Sequence, residues 1–519
     1  MIRSERMLIS GNEAVALAAF DAGVALGAGY PGTPSTEILE VFSGLGGRAQ
    51  WSPNEKAAME VTLGASFGGA RTLTTMKHVG VNVAADVLFT AAYTGVTGAM
   101  VIVTADDPGM ASSQNEQDNR RYAVAAGVPM LEPSDSQDAY DMTLAAIEIS
   151  EQWRLPVLLR VTTRVCHTKT VIRPRNNLPP APAPHFVRDI RGRVMIPMHA
   201  RPAHRRLREK LLKLAAWNET SSLNFSIDGD PGLGIVTSGV SYMHVREAAP
   251  RASILKLGLT HPLPMEKIRS FVSRAGRCVV IEEGDPCLTD ALRAAGMKVE
   301  GKAEMYRFGE LNVERVRRIL AVDVSPETAP PSGKAPQLCE GCPYRVVFDA
   351  FKELDCIVSG DIGCYTLGVL PPFEAMDMMV DMGAAMGMGL GLRHTLPEEE
   401  SRRVVSVIGD STFIHGGLPG LVDMVYNRPK TGHVVVILDN ETTAMTGHQE
   451  HPGTGRTLNH EPAVRLSLEN ICRAMGVDEV KVTDPRRETF TPLLRASLAS
   501  GKLVVIIARR PCLLIARKK

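Results

Sequence analysis

The sequence predicts an α/β protein made of three doubly wound domains, each a parallel sheet covered by helices on both faces. Two observations support this fold class. Short continuous runs of Val, Ile and Leu recur along the 519-residue chain and alternate with segments of helix length, which is typical of strands buried on both faces. Two proline-rich stretches also divide the chain into three blocks, in line with roughly 100–200 residues per domain.

The two proline-rich stretches are predicted to be linkers, since proline favours extended connectors over packed elements. The first linker contains Pro-Pro-Ala-Pro-Ala-Pro at 179–184 and a basic cluster at 201–210. We interpret that cluster as a solvated helix face, with docking of an acidic partner as the alternative. The predicted organisation is domain 1–172, linker 173–214, a smaller domain 215–322, linker 323–337 and domain 338–519.

Eight apolar runs are the strongest strand predictions: 100–104, 156–160, 234–237, 253–257, 278–282, 404–408, 433–438 and 503–508. A helical stretch is expected at about 417–426. The spacing Gly387-x-Gly389-x-Gly391 indicates a helix that packs closely on a neighbour. Because parallel sheets bind ligands at the carboxyl ends of their strands, we expect the functional residues in the loops that follow these strands.

Composition excludes several classes of protein. Lys plus Arg is 58 and Asp plus Glu is 57, so no overall charge attracts nucleic acid or an anionic membrane. No apolar run reaches about 18 residues, and the first residues lack a signal-peptide core; a cytoplasmic location and no membrane partner are therefore expected. The nine cysteines include one CxxC pair, Cys339 and Cys342, and no C-x₂-C-x₂-C run of the ferredoxin type.

One pair of strand ends carries the chemistry of a magnesium site. Gly409, Asp410 and Ser411 follow the strand at 404–408, and Asn440 follows the strand at 433–438. If these strands are neighbours, a carboxylate, an amide oxygen and a nearby backbone carbonyl face one crevice. Such oxygen ligands suit Mg²⁺, with phosphate and water completing its coordination. The alternative is a pair of ordinary capping residues after two strands.

Longer motifs place the chain in a family. They are Gly-Tyr-Pro-Gly-Thr-Pro-Ser at 29–35, Trp-Ser-Pro-Asn-Glu-Lys at 51–56, Met-Lys-His-Val-Gly at 76–80, Ala-Asp-Asp-Pro-Gly-Met at 105–110, Ser-Ser-Gln-Asn-Glu-Gln-Asp at 112–118, Cys-Glu-Gly-Cys-Pro at 339–343, Gly-Asp-Ile-Gly-Cys-Tyr-Thr-Leu-Gly at 360–368 and Thr-Ala-Met-Thr-Gly-His at 443–448. From about Leu8 to Cys512 the chain resembles the large (alpha) subunits of indolepyruvate:ferredoxin oxidoreductases, a branch of the 2-oxoacid:ferredoxin oxidoreductases.

This resemblance implies the transketolase-like thiamine diphosphate-binding fold, with thiamine diphosphate and Mg²⁺ as cofactors. The first block would bind the pyrimidine and the last block the diphosphate, with the cofactor in the cleft between them. Glu55 matches the glutamate that faces the aminopyrimidine and shares a proton with it. Glu60, one turn later, is a rival acid. Thr33 matches the threonine near the substrate carboxylate.

The resemblance assigns the remaining site residues to the last block. The magnesium ligands would be Asp410, Asn440 and the backbone carbonyl of Thr442. The residues predicted to contact the diphosphate or thiazolium are Asp361, Gly363, Cys364, Gly409, Ser411 and Met445. His448 and His451 follow on the same loop and are expected to relay protons or contact the substrate. The CxxC pair would lie on a loop beside the cofactor, and zinc is the less favoured interpretation because no second pair is evident.

The expected reaction is oxidative decarboxylation of 2-oxo acids, including aryl-pyruvates such as indolepyruvate, to the acyl-CoA. A small (beta) subunit or a homodimer, CoA and an external electron acceptor are the expected partners. The family's cysteine-rich ferredoxin-like domain has no counterpart, so no iron–sulfur cluster is expected in this chain. Smaller departures from the family pattern lie on the proposed site loops: Ala111, Tyr344, Ala385 and Glu450.

Two other functions stay open. A nonoxidative thiamine diphosphate-dependent decarboxylase or carboligase would need no clusters. A noncatalytic, partner-binding subunit is the third candidate, although the presence of Glu55, Asp410 and Asn440 argues against it.

Overall fold

The computed structural model describes residues 5–176, 178–328 and 337–516. The chain divides between residues 328 and 329 into two compact units. All eight predicted strands are present, and the predicted α/β class with parallel sheets is confirmed. The break between the units falls inside the second predicted linker, whereas the first two predicted domains share one unit.

The first unit contains thirteen strands and fourteen α-helices among its described residues. The strands are β1 Met7–Ser10, β2 Leu26–Gly29, β3 Ala49–Trp51, β4 Thr72–Lys77, β5 Met100–Asp106, β6 Met130–Leu131, β7 Val157–Thr162, β8 Lys169–Ile172, β9 Phe225–Ile227, β10 Asp230–Ser238, β11 Ala252–Leu257, β12 Leu259–His261 and β13 Arg277–Ile281. The helices are α1 Gly11–Asp21, α2 Thr36–Gly44, α3 Glu55–Phe67, α4 His78–Val83, α5 Ala85–Thr94, α6 Arg120–Ala126, α7 Ser136–Trp153, α8 Thr163–His167, α9 Ile190–Arg193, α10 Pro197–Asn218, α11 Ser241–Ala248, α12 Met265–Arg274, α13 Cys287–Ala294 and α14 Val313–Leu320.

A seven-stranded sheet in the order β12-β6-β7-β5-β4-β2-β3 forms the centre of this unit. Its strands are parallel except β12, which belongs to the middle of the chain and pairs antiparallel with β6, Leu259 opposite Leu131. A second sheet, β13-β10-β11-β9, is parallel except at β9. The order of the large sheet places the loops after β2, β3, β4 and β5 along one edge, where ligands of parallel sheets bind.

A buried ion pair joins these two sheets, and further buried pairs lie beside it. Arg120 lies 2.5 Å from Asp118 and 2.6 Å from Glu282, which follows β13. Arg160 lies 2.7 Å from both Asp106 and Glu132. Although Asp118 is buried, the two guanidinium groups hold the pKa of its carboxyl well below its usual range. Removing one partner of such a set would leave a buried charge uncompensated, which is strongly destabilising.

The first predicted linker is only partly a connector. Residues 178–189 have no regular secondary structure, as expected for the proline-rich run. The 22-residue helix α10 then begins at Pro197 and places Ala203, Leu207 and Leu214 in the interior. Most of its basic side chains are exposed, which agrees with the interpretation of the basic cluster as a solvated helix face.

The second unit is a single five-stranded parallel sheet in the order β14-β15-β16-β18-β17. Its strands are β14 Ile357–Ser359, β15 Val404–Gly409, β16 His433–Asp439, β17 Glu479–Thr483 and β18 Leu503–Arg509. Its helices are α15 Arg345–Glu353, α16 Ala384–Thr395, α17 Glu398–Ser401, α18 Asp410–Thr412, α19 Leu418–Tyr426, α20 Leu468–Met475, α21 Arg487–Ala499 and α22 Leu513–Ala516. Apolar side chains cover both faces of the sheet.

Helix α16 carries the three spaced glycines and packs on β15. A Cβ atom at Gly389 would lie 2.4 Å from the Ser406 hydroxyl, whereas no atom lies within 4 Å of the corresponding positions at Gly387 and Gly391. The predicted close packing is therefore confirmed at the middle glycine. A π-helical turn at Phe413–Gly417 joins α18 to α19 directly after β15, and such turns are frequent at functional sites.

Within the described ranges, the structure contains no helix with the length and apolar character that crossing a membrane requires.

Candidate functional site

Glu55 lies at the edge of the large sheet in the first unit. It follows β3 as the first residue of α3, and the Asn54 side chain caps this helix by accepting a hydrogen bond from the Ala57 amide. Parallel pairing of Gly29 with Trp51 brings the loops after β2 and β3 together. Only 5% of Glu55 is exposed, which sets it apart from ordinary helix-start glutamates on a surface.

Gly80 in α4 provides the space that the Glu55 carboxyl group occupies. A Cβ atom on Gly80 would lie 2.7 Å from Glu55 Cγ and 2.9 Å from Glu55 Oε1, so the glutamate side chain would have to shift. The rival acid Glu60 is half exposed and forms an ion pair with Lys56. The structure thus separates the two acids by burial.

Thr33 lies on the loop after β2, and Lys77 is the last residue of β4. Thr33 is half-buried. The Lys77 ammonium donates a 2.6 Å hydrogen bond to the Ser112 carbonyl, and a Cβ atom on Gly32 would lie 3.1 Å from Lys77 Cβ. Burial lowers the pKa of Lys77. Sequence reasoning did not single out Lys77, although it lies within the quoted 76–80 motif.

Asp410 occupies the predicted edge of the sheet in the second unit. Strands β15 and β16 are parallel neighbours, with Gly409 opposite Leu438, so the expected adjacency of the two loops is present. The buried Asp410 carboxylate accepts hydrogen bonds of 2.9 Å from the amides of Ser411 and Glu441. Each carboxylate oxygen keeps lone-pair capacity beyond these bonds.

The side chains around Asp410 fit a divalent cation. Burial, followed by the negative charge of Asp410, raises the pKa of Asp439 to about 6, despite Arg509 at 2.6 Å. The Asn440 amide oxygen accepts a 3.0 Å bond from the Thr442 amide, which folds the loop back beside Asp410. Excess negative charge beside amide and carbonyl oxygens suits Mg²⁺.

Across the described ranges, no three His, Cys, Asp or Glu side chains converge to ligate a single ion. The predicted ligands of Mg²⁺ differ from such a cluster, because they are one carboxylate, one amide oxygen and one backbone carbonyl.

The loop after Asn440 brings His451 back to the same carboxylate. His451 Nε2 lies 3.3 Å from Asp410 Oδ2, and both side chains are buried. His448 and Glu441 both adopt positive φ, +73° and +60°, an uncommon conformation for non-glycine residues that clusters at binding sites. Met445 is 51% exposed.

Asp361 organises the loop after β14. Its buried carboxylate accepts bonds of 2.8–3.0 Å from the amides of Ile362, Gly383 and Ala385, and burial raises its pKa to about 7. The Tyr365 ring lies so close that a Cβ atom at Gly363 would be 2.4 Å from it; at Gly409 the distance would be 2.9 Å. Glycine is therefore required at both positions by close approach.

Four cysteines that are distant in sequence line one cavity of about 110 Å³ in the second unit. They are Cys339, Cys342, Cys364 and Cys512, and Asn440 lines the same cavity. Burial and the neighbouring thiols raise the pKa of Cys364 to about 11. The sequence analysis placed the CxxC pair on a loop beside the cofactor and Cys364 among the cofactor contacts, but it did not group these cysteines or single out Cys512. No strand was predicted before Cys364, and the sequence carried no signal that groups the four cysteines.

Each unit thus presents one group of predicted residues at the carboxyl edge of its own parallel sheet. Comparison with protein families matches both groups. Residues 17–182 match the family described as "Pyruvate flavodoxin/ferredoxin oxidoreductase, thiamine diP-bdg". Residues 361–508 match "Thiamine pyrophosphate enzyme, C-terminal TPP binding domain".

Curated relatives extend the similarity to nearly the whole chain. The indolepyruvate oxidoreductase subunit IorA of Archaeoglobus fulgidus is 41% identical, over 98% of this chain and 87% of the relative. The subunit of the same name from Methanothermobacter thermautotrophicus is 39% identical with the same coverage. A solved 2-oxoglutarate:ferredoxin oxidoreductase from Magnetococcus marinus shares the fold, with a TM-score of 0.53 and 18% identity over 62% of this chain and 66% of that one. The chain belongs to the indolepyruvate oxidoreductase alpha subunits, within the thiamine diphosphate-dependent 2-oxoacid oxidoreductases.

Proposed function

We propose that this chain catalyses the oxidative decarboxylation of aryl-pyruvates such as indolepyruvate, with thiamine diphosphate and Mg²⁺, together with a small (beta) subunit. The observation that carries the proposal is the buried Glu55 set into the space left by Gly80. A carboxyl group held in this way at the ligand-binding edge of a sheet suits proton exchange with a bound ring.

The overall reaction is balanced as follows: a 2-oxo acid anion and CoA thiol give the acyl-CoA, carbon dioxide, one proton and two electrons. Bound thiamine diphosphate supplies a carbanion for addition to the keto carbon and an electron sink for loss of carbon dioxide. Glu55 would hold and release the proton facing the aminopyrimidine. Thr33 would orient the substrate carboxylate from the loop after β2.

In the second unit, Asp410, Asn440 and the Thr442 carbonyl would hold Mg²⁺ and, through it, the diphosphate. Gly409 and Gly363 would let the diphosphate approach the backbone closely, and the Ser411 amide and hydroxyl would contact it. Buried His451 is already in contact with Asp410, so we assign it to orienting that ligand. His448 and Met445, less buried on the same loop, are left for contact with the substrate or thiazolium.

The four-cysteine cavity would provide a one-electron relay, through which the two electrons leave in turn for the external acceptor. Four thiols line this cavity, and four cysteines are the usual ligands of an iron–sulfur cluster; within the described ranges they do not converge on a single ion, so the proposal rests on their shared cavity. The sequence-based expectation that the chain holds no cluster stays a prediction, and the cluster in this cavity is the alternative to it. Such a cluster would favour the oxidative reaction over the nonoxidative alternative, which needs no electron path.

A product assay tests the proposal. The purified complex, or the chain with its partner subunit, is incubated with thiamine diphosphate, Mg²⁺, CoA and a panel of 2-oxo acids, with and without an artificial electron acceptor. We expect acyl-CoA and carbon dioxide only with the acceptor, and the highest kcat/KM for aryl-pyruvates. Aldehyde formed without an acceptor would instead establish a nonoxidative decarboxylase. The cytoplasmic location and the absence of nucleic-acid or membrane partners stay predictions.

A further inference from the structure

Lys77 is a cation at the carboxyl edge of the large sheet, beside two proposed catalytic groups. It ends β4, which pairs on one side with β2 and on the other with β5. Its stem lies against Gly32, the residue before Thr33. The next turn of chain forms α4, in which Gly80 makes room for Glu55. Lys77 therefore lies between the loop of Thr33 and the helix that accommodates Glu55.

The ammonium group of Lys77 has no carboxylate in an ion pair within the described part of the chain. Its hydrogen bonds run to the carbonyl and hydroxyl of Ser112, at 2.6 and 3.4 Å. Asp107, whose charge acts to raise the pKa of Lys77, has its own carboxylate occupied by the Ser112 amide and the Ser113 and Thr163 hydroxyls. Lys77 is half-buried, and its ammonium is satisfied only by neutral oxygens, so its charge is left for an anionic ligand to complete.

A purely structural role explains this arrangement less well. Anchoring the loop at 112 requires a hydrogen-bond donor, which a neutral side chain can supply without placing a charge there. The charge itself is useful only to an anion, and the adjacent Thr33 is the residue proposed to meet the carboxylate of the substrate.

We infer that Lys77 supplies the positive charge that binds the carboxylate of the 2-oxo acid, with Thr33 as its neutral partner. The inference rests on the proposed function. It gives Lys77 the carboxylate that all 2-oxo acids share, and not the side chain that distinguishes one 2-oxo acid from another. Lys77 would thus set the requirement for an anionic substrate, while selection among 2-oxo acids would lie elsewhere in the site.

The test pairs a change in the protein with a change in the ligand. Lys77→Met keeps the length of the side chain and removes its charge, and Lys77→Arg keeps a charge. Lys56→Met is the matched control, because Lys56 is exposed and already paired with Glu60. Two nonreacting ligands are compared, an aryl-propionate and its carboxamide, in which a neutral amide replaces the charged carboxylate. Their dissociation constants are measured by calorimetry on the thiamine diphosphate-loaded complex, beside KM and kcat for the aryl-pyruvate.

We expect Lys77→Met to weaken aryl-propionate binding and raise KM by about 10- to 100-fold, as for loss of a charged hydrogen bond. Carboxamide binding, thiamine diphosphate affinity and kcat should change less than about twofold, Lys77→Arg should recover part of the loss, and Lys56→Met should behave as wild type. Equal loss for both ligands, or an unchanged preference for the carboxylate, would overturn the inference. If the wild type itself turns over no 2-oxo acid, the proposed function fails first and the inference fails with it.

Discussion

Gly80 and Glu55 share one space: a Cβ atom on the glycine would fall 2.7 Å from Cγ of the glutamate and 2.9 Å from its Oε1. The two residues come from helices that follow different strands, α3 after β3 and α4 after β4. The position of the proposed proton-exchanging group therefore depends on a residue that carries no functional group.

Gly80→Ala should displace the Glu55 carboxyl group and lower kcat by about 100-fold, because misplacing a catalytic group by about 1 Å has an effect of that size. Thiamine diphosphate binding, measured by fluorescence quenching, should weaken far less. Gly64→Ala in α3 is the control, since no atom lies within 4 Å of its added methyl group. If Gly80→Ala retains wild-type kcat, Glu55 does not need this position.

Glu55→Gln should abolish most turnover while leaving cofactor binding nearly intact, because the amide keeps the shape of the side chain and loses the exchangeable proton. We expect a loss of at least about 100-fold in kcat. Glu60→Gln, a change at the exposed rival acid, should leave kcat unchanged. The opposite pattern in steady-state assays would reassign the role to Glu60.

Asp410→Asn should weaken Mg²⁺-dependent thiamine diphosphate binding by at least about tenfold, because it removes the charged oxygen ligand of the proposed site. Titration of the cofactor at several Mg²⁺ concentrations measures the effect, and removing the metal from wild type with a chelator should reproduce it. Asp423→Asn, on the exposed side of α19, is the control. Cofactor affinity that does not respond to Mg²⁺ would exclude this ligand set.

Cys342→Ser should lower the iron and acid-labile sulfide bound to the purified chain and remove the corresponding absorbance, if the four-cysteine cavity holds a cluster. Cys356→Ser provides the comparison, since Cys356 lies in the same unit and does not line that cavity. Wild-type protein prepared without oxygen and found free of iron would refute the assignment directly.

Glu283 should make the stability of the first unit depend on pH. Burial raises its pKa from 4.5 to about 7, so the folded state binds a proton that the unfolded state has released. The free energy of unfolding therefore falls as the pH rises from about 4.5 to about 7. The fall is about 3 kcal/mol, because each pKa unit corresponds to 1.36 kcal/mol.

Glu283→Gln should remove this loss, so the Tm difference between variant and wild type should become more positive from pH 5 to pH 8. Glu314→Gln, at an exposed position on α14, should give a Tm difference that does not change with pH. Thermal melts of the three proteins at each pH measure these differences. A Tm difference between Glu283→Gln and wild type that stays constant from pH 5 to pH 8 would contradict the expectation.

The sequence predicted the sheets better than it predicted the site. All eight predicted apolar runs, such as 433–438, form strands, because parallel strands buried on both faces need continuous apolar sequence. The pair of Asp410 and Asn440 could be expected together since their strands are parallel neighbours. Lys77 and the distant members of the cysteine group could not, because charge burial and grouping of distant residues depend on how the loops fold over the sheet.

The pairing of β12 with β6 has a consequence for how this protein can be divided. A fragment ending near residue 172 would leave the outer edge of β6 without its partner strand, and an open strand edge invites self-association. Such a fragment should aggregate on expression. Gene fission or recombination that keeps folded products is favoured near residue 328, where the two units separate.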